Sequence, residues 1–335
     1  MDHMDHMDHM DHMEAVGNSY VQNIEHMQND IKNLEGLEIF LGYNCNVSCS
    51  FCFQEESRAE NKTYIPDSAV YHLLDEGVTK GYQFVIFSGG EPTLHPKLDA
   101  YIEYAKKLGY SHIRVHTNGL RFRSYTYLER LYKLGLTGVT LSVHGLKIVH
   151  DTITKTPGSF DTIKNALVNF QRLKSQFPQF TVDTNTVICP QNYMFLQGLI
   201  VFLSYFSIER VMLTYPYNTN TNNDRLRRII VPYDKLVVPI TYVLELANTK
   251  NFKNFVVESI PYCLIDKKYW HFIEKNYRTT KEAYFIGGNI GSDDQYLNGK
   301  IKYDQCKGCS KYDKCYGFSH DYHILYGMPT FTQLT

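Results

Sequence analysis

"LEIFLGYNCNVSCSFCFQ", residues 37–54, decides how this chain is read. Its first part is an apolar run of strand length. Its second part sets Cys45, Cys49 and Cys52 at C-x3-C-x2-C spacing. Three thiols are an odd donor set, because a closed structural zinc site takes four ligands and a disulfide framework takes pairs.

Outward from this stretch, short apolar runs alternate with helical segments. A helix is expected over 66–81, opened by Pro66 and Asp67 and closed by Gly81. The strand "QFVIFSGG" (83–90) and the helix 96–109 follow. Then come strand 112–119, helix 125–135, strand 138–145, helix 159–176, strand 180–188, helix 192–206 and strand 209–216. Buried-type strands alternating with longer helices predict parallel βαβ units. The expected fold is α/β, an open, partial (β/α)6 TIM-like barrel over residues 37–217. Loops after strand C-termini carry function in such folds. Here those loops hold the three cysteines, "SGGEP" (88–92), "TNG" (117–119) and "SVHG" (142–145).

Residues 218–254 read as a connecting region, with a polar stretch and a helix over 233–250. Residues 255–335 read as a small Cys-rich domain, its Gly- and Asp-rich segment 285–300 forming loops and a hairpin. Residues 1–36 stand apart as an N-terminal extension. They open with "MDHMDHMDHMDHM", a low-complexity repeat that resembles a metal-affinity tag or a simple repeat expansion.

Composition narrows the function classes. The formal net charge of −1 gives no bulk attraction to nucleic acid or membrane, and "RLRR" at 225–228 reads as a small solvated cationic face. No apolar run reaches the ~18 residues of a membrane span, and no signal peptide opens the chain, so a cytoplasmic protein is expected. Eight cysteines without a secretion signal argue for metal or redox chemistry. Beyond the first three, Cys306, Cys309 and Cys315 cluster near the end, with Cys263 upstream. Four thiols in two distant segments suit either structural zinc or an iron–sulfur cluster. Cys189, before Pro190, reads as a buried small hydrophobe, or as a hydrogen-atom or proton donor if it faces the cavity.

The cysteine spacing after a strand, Phe51 just before the last cysteine, the Gly-Gly-Glu of "SGGEP" after the next strand, and the partial barrel together resemble the radical S-adenosylmethionine (SAM) superfamily. The resemblance spans residues 37 to about 325. It implies a [4Fe–4S] cluster on Cys45, Cys49 and Cys52, with the fourth iron open to SAM. Gly89 and Gly90 would let backbone approach SAM closely, and Glu91 would accept a bond from its ammonium group. Ser142 and Asn185 would meet its ribose and carboxylate, and backbone near Ile188 and Leu213 would border the adenine. Asn118 and Gly119 match a frequent strand-3 ending of the group. His144 would touch substrate or be a satisfied loop residue.

The C-terminal cysteines resemble a twitch domain, the shortened form of a SPASM domain. This implies one auxiliary [4Fe–4S] cluster on Cys263, Cys306, Cys309 and Cys315, since a full SPASM extension needs about seven cysteines. The resemblance further implies reductive cleavage of SAM to a 5′-deoxyadenosyl radical, and an external electron donor of the flavodoxin or ferredoxin type. Peptide maturation is the leading expectation for the reaction. A separate peptide-recognition protein is a possible partner, because some 36 residues before the first strand leave no room for such a domain. Oxidation or rearrangement of a sugar or nucleoside is the first alternative. The molybdenum-cofactor GTP cyclase has a similar layout, but it ends in Gly-Gly and uses three auxiliary cysteines, against "FTQLT" and four here. A non-catalytic iron–sulfur or zinc protein is the alternative of another class, and the intact Gly-Gly-Glu argues against it.

Overall fold

The computed structural model describes residues 35–55, 58, 63–216, 222–250, 252, 254–273, 280–285, 288–291 and 299–334. The N-terminal repeat lies outside these residues, as do parts of the 218–254 connection and of the 285–300 segment.

Six strands alternate with helices in the expected order. They are β1 (Gly36–Phe40), β2 (Phe84–Ser88), β3 (His112–Thr117), β4 (Gly138–Ser142), β5 (Thr181–Val187) and β6 (Arg210–Thr214). The intervening helices are α1 (Asp67–Thr79), α2 (Leu98–Leu108), α3 (Tyr125–Leu134), α4 (Lys147–Thr154), α5 (Ser159–Gln176) and α6 (Leu196–Leu203). Local chemistry sets several boundaries. Ser124 Oγ accepts from the Tyr127 N–H at 3.3 Å and caps α3, while Gly109, at φ 94°, closes α2 in the left-handed conformation. Helix α4 falls in a stretch the sequence reading leaves as loop.

Two further parallel strands correct the count of six. After α7 (Asn223–Ile229) and α8 (Tyr233–Thr249), β7 (Phe255–Glu258) pairs with β6. At the other edge, β8 (Thr280–Phe285) pairs in parallel with β1 and turns back as β9 (Gly288–Gly291), antiparallel to β8. The sheet order is β7-β6-β5-β4-β3-β2-β1-β8-β9. Both added edges come from residues beyond 254, so that stretch contributes to the barrel sheet as well as to the cysteine-bearing end. The hairpin there starts earlier than 285 and joins the main sheet. A second small ladder, β10 (Lys300–Ile301) with β11 (Phe318–Ser319), precedes α9 (His320–Tyr326).

The core lies between the sheet and the helices. Leu37, Ile39, Val85, Phe87, Ile113, Val115, Val139, Leu141, Val182, Val211 and Leu213 point outward from the strands into it and are almost fully buried. The alternate residues point inward, as the period of two requires. Glu38, Arg114, His116, Thr140, Asp183, Asn185, Arg210 and Thr214 line a cavity of about 700 Å³ along the barrel interior. The inner face therefore mixes these polar groups with Phe84, Ile86, Met212 and Val256, where the outer face is aliphatic. Its deep end is knitted by ion pairs. Asp183 Oδ2 accepts from Arg114 and from Arg210, each at 2.9 Å.

Candidate active site

Cys45, Cys49 and Cys52 line the wall of this cavity beside Gly89 and Gly90. Backbone bonds zip the two loops together at the C-terminal ends of β1 and β2. The Gly90 N–H donates to Gly42 O at 2.8 Å, and the Glu91 N–H donates to Asn44 O at 2.7 Å. This close approach demands glycine. Gly89 sits at φ 120°, and a Cβ there would come within 2.6 Å of Gly42 O. From the other side the last turn of α4 supports the cysteine loop. Ser48 N–H donates to Thr154 O at 3.0 Å and Ser50 N–H to Ile153 O at 2.9 Å.

Burial pushes all three thiols up, Cys49 to about 12, and each sits close enough to another for their charges to repel. Without a metal they stay protonated; a metal ion displaces those protons. Among the described residues, no three His, Cys, Asp or Glu side chains converge tightly enough for one ion. A single zinc ion draws its sulfurs to about 2.3 Å from one point, whereas a cubane gives each thiolate its own iron. Three cysteines spread over one wall match the second arrangement. Ser88 Oγ and Thr140 Oγ1 line the same cavity and are buried with no hydrogen-bond partner among the described residues. Open polar atoms, glycine backbone and three sulfurs fit a cluster with a polar ligand beside it.

Glu91 is placed differently from the expectation. It is 2% exposed and is not among the residues lining the cavity. Its Oε1 accepts from Thr93 N (3.2 Å), Thr93 Oγ1 and Thr117 Oγ1 (2.7 Å), and its Oε2 accepts from the Asn118 N–H at 2.7 Å. The carboxylate thus fastens the loop after β3 to the loop after β2. Asn118 is the beneficiary, its Nδ2 lying 2.6 Å from Asn46 Oδ1 and 3.8 Å from Cys45 Sγ.

Ser142 and Asn185 both line the cavity. Ile188 and Leu213 do not. Their side chains are fully buried in the outer core, and Val187, Met212 and Thr214 face the cavity instead. The expectation concerned backbone near Ile188 and Leu213, and their chain neighbours are the residues at the cavity; Ile188 itself follows the last residue of β5. Thr214 Oγ1 lies 2.9 Å from Asn185 Oδ1 and 3.2 Å from Glu258 Oε2, linking the ends of β5, β6 and β7. Thr214 and Glu258 are cavity residues that the sequence reading missed. An inward threonine two positions from Met212 was a usable signal; Glu258 was not, because β7 was not read as a strand.

His144 lines the cavity but is tied in place. Its backbone N–H donates to His150 Nδ1 at 3.1 Å, its carbonyl accepts from Asn192 Nδ2 at 2.9 Å, and its ring meets Phe51 edge-on at 4.7 Å. Cys189 is fully buried, is not among the cavity-lining residues, and has its thiol pushed up to about 12 by burial.

Cys263, Cys306, Cys309 and Cys315 surround a second, small pocket walled by Tyr262, Phe318 and Phe331. Backbone N–H groups of Lys311 and Gly317 each lie 3.4 Å from a sulfur, on Cys309 and Cys315 respectively. Such N–H···S bonds are a common outer-sphere feature of iron–sulfur sites.

The profile described as "Radical SAM superfamily" matches residues 39–196. A "Probable GTP 3′,8-cyclase" of Saccharolobus islandicus is 32% identical over 134 residues, 39% of this chain and 41% of that protein. A "7,8-dihydro-6-hydroxymethylpterin dimethyltransferase" of Methanocaldococcus jannaschii is 30% identical over 105 residues, 30% of this chain and 21% of that protein. The chain thus spans less than half the length of these relatives. Among solved structures, Streptococcus suis SuiB bound to S-adenosylmethionine superposes with a TM-score of 0.60 at 18% identity, covering 92% of this chain and 79% of that one. Native anSMEcpe with bound AdoMet and Cp18Cys peptide gives 0.59 at 14% identity, covering 85% and 88%. At such identities the superpositions speak for the fold. Together with the three-cysteine loop and the partial barrel, the profile match identifies residues 39–196 as a radical SAM domain.

Proposed function

We propose that Cys45, Cys49 and Cys52 hold the [4Fe–4S] cluster, that polar groups of the barrel wall hold SAM beside it, and that the enzyme modifies a peptide. The observation that carries this is the three-cysteine loop set into a cavity wall next to Gly89 and Gly90. What a cluster and SAM supply when bound is reductive cleavage of the sulfonium and a 5′-deoxyadenosyl radical that takes hydrogen from substrate. The chain's own residues position and shield. Gly89 and Gly90 admit a ligand against the backbone, and Ser88, Thr140, Ser142 and Asn185 offer it hydroxyl and amide groups. Glu91 acts through Asn118, which it holds beside Cys45. His144, desolvated and held well below the usual imidazole range, stays neutral and keeps the Phe51 wall of the loop in place.

Cys263, Cys306, Cys309 and Cys315 hold an auxiliary cluster in this reading, and four sulfurs around one pocket support full ligation by protein. A peptide substrate is favoured by the fold neighbours, since SuiB has been captured with its precursor peptide SuiA, and anSMEcpe with a peptide. A small polar metabolite is the second reading. The charged inner barrel, with Glu38, Arg114, Asp183 and Arg210, and the sequence relatives named for GTP and pterin chemistry favour it.

The test is anaerobic reconstitution followed by dithionite and SAM. Wild type should release 5′-deoxyadenosine, and Cys49→Ala should release none while keeping the auxiliary iron. A cluster-loaded wild-type protein that yields no 5′-deoxyadenosine would sink the catalytic reading.

A further inference from the structure

Arg225 belongs to the "RLRR" stretch read from the sequence as a solvated face, and the structure buries it, with its side chain 9% exposed. It lies on α7, beyond the six-strand barrel, yet its guanidinium reaches the cysteine loop. It donates to the carbonyl oxygen of Cys52 and pairs with Glu55 Oε2 at 2.9 Å. Arg58 grips the same loop, donating to Val47 O at 2.6 Å and to Ser48 Oγ at 3.3 Å. Two guanidinium groups therefore bracket residues 45–55, one local and one from 173 positions away.

Burying an arginine is costly, and a neutral donor would suffice to hold a carbonyl oxygen. What a cation adds is charge. An iron–sulfur cluster on three thiolates is anionic and becomes one charge more negative on reduction. A fixed positive charge in a low-dielectric surround favours that reduced form. Glu55, the partner on the far side, is 41% exposed, so water screens its charge more than that of the buried guanidinium.

We propose that Arg225 is a positioning residue that sets the reduction potential of the cluster held by Cys45, Cys49 and Cys52, its charge raising that potential and Glu55 moderating it. The proposal rests on the assignment of the cluster to those three cysteines.

The test is an EPR-monitored redox titration of reconstituted wild type, Arg225→Gln, Arg225→Lys and Glu55→Gln, after iron and sulfide assay. The signal followed is the one that changes on adding SAM, which separates the open cluster from the auxiliary one. Arg225→Gln should lower the reduced-to-oxidised ratio at fixed potential about tenfold, ~59 mV for a one-electron couple. Arg225→Lys should retain most of the wild-type potential, because it keeps the charge. Glu55→Gln should shift the midpoint the opposite way. A fully loaded Arg225→Gln enzyme with the wild-type midpoint overturns the proposal. If that variant fails to hold its cluster, Glu55→Gln decides: an upward shift supports the charge effect and an unchanged midpoint overturns it. Wild-type protein with no SAM-responsive signal would overturn the cluster assignment itself, and that outcome appears before any substitution is made.

Discussion

Gly90 has no room for a methyl group. A Cβ there would sit 2.7 Å from the Tyr43 carbonyl carbon and closer still to Asn44 O, both backbone atoms of the cysteine loop. Backbone cannot swing aside as a flexible side chain can, so the loop itself must shift. Gly90→Ala should cost roughly 1–3 kcal/mol, the usual range for overpacking. It should also lower iron incorporation at the three-cysteine site while leaving the auxiliary site loaded. Thermal melting and iron analysis of Gly90→Ala, in the full chain and on a background lacking the auxiliary cysteines, check this, and wild-type iron content on that background would refute it. At this scale the sequence was informative. The three cysteines, Gly89, Gly90, Ser142 and Asn185 all line the cavity, because short motifs after strands report directly on what the strands present. Glu91 was legible as important but not in its contacts, which depend on Thr93 folding back and on the loop after β3.

Helix α4 shows what an element contributes that no motif announces. Its last carbonyls hold the cysteine loop, and its His150 accepts the His144 backbone N–H while stacking on the His144 ring at 5.7 Å. Burial lowers His150 to about 4. The sign of the pH effect follows. A base whose folded value lies below its unfolded value binds fewer protons when folded, so its neutral form supports the fold above about pH 6.5. That support is lost as pH falls from about 6.5 toward 4, at a cost on the order of 3 kcal/mol. His150→Asn keeps an acceptor near the Nδ1 position and removes the titration. Urea unfolding between pH 7 and 4 should therefore show a shallower acid limb in the variant, and parallel limbs would rule the idea out. The helix went unread because it has only eight residues and follows the "SVHG" turn with little spacing, too short for periodicity to separate helix from loop.

The main sheet of the described residues is extended at both edges by the chain's later residues. Strands β7 and β8 come from beyond residue 254 and cover β6 and β1. Parallel strands are rarely left bare, because both faces and both edges need cover. A chain cut after residue 254 should therefore fail to give a soluble, cooperatively melting barrel, and size-exclusion chromatography with circular dichroism reads this directly. A monomer melting within ~3 °C of the full chain would show instead that the barrel folds alone.

By itself the sequence determined the alternation of β1 to β6 with their helices and the cysteine-bearing loop. Each is written in local period or spacing, and each is fixed by neighbours within a few residues. Only the tertiary structure decided that β8 joins β1, that Arg225 reaches Cys52, and that Glu258 completes the line from Asn185 through Thr214. These contacts join residues far apart in the chain, and no local pattern encodes which distant partner closes a sheet edge or neutralises a buried charge. The opening stretch named the donors. The fold supplied the charges and walls around them.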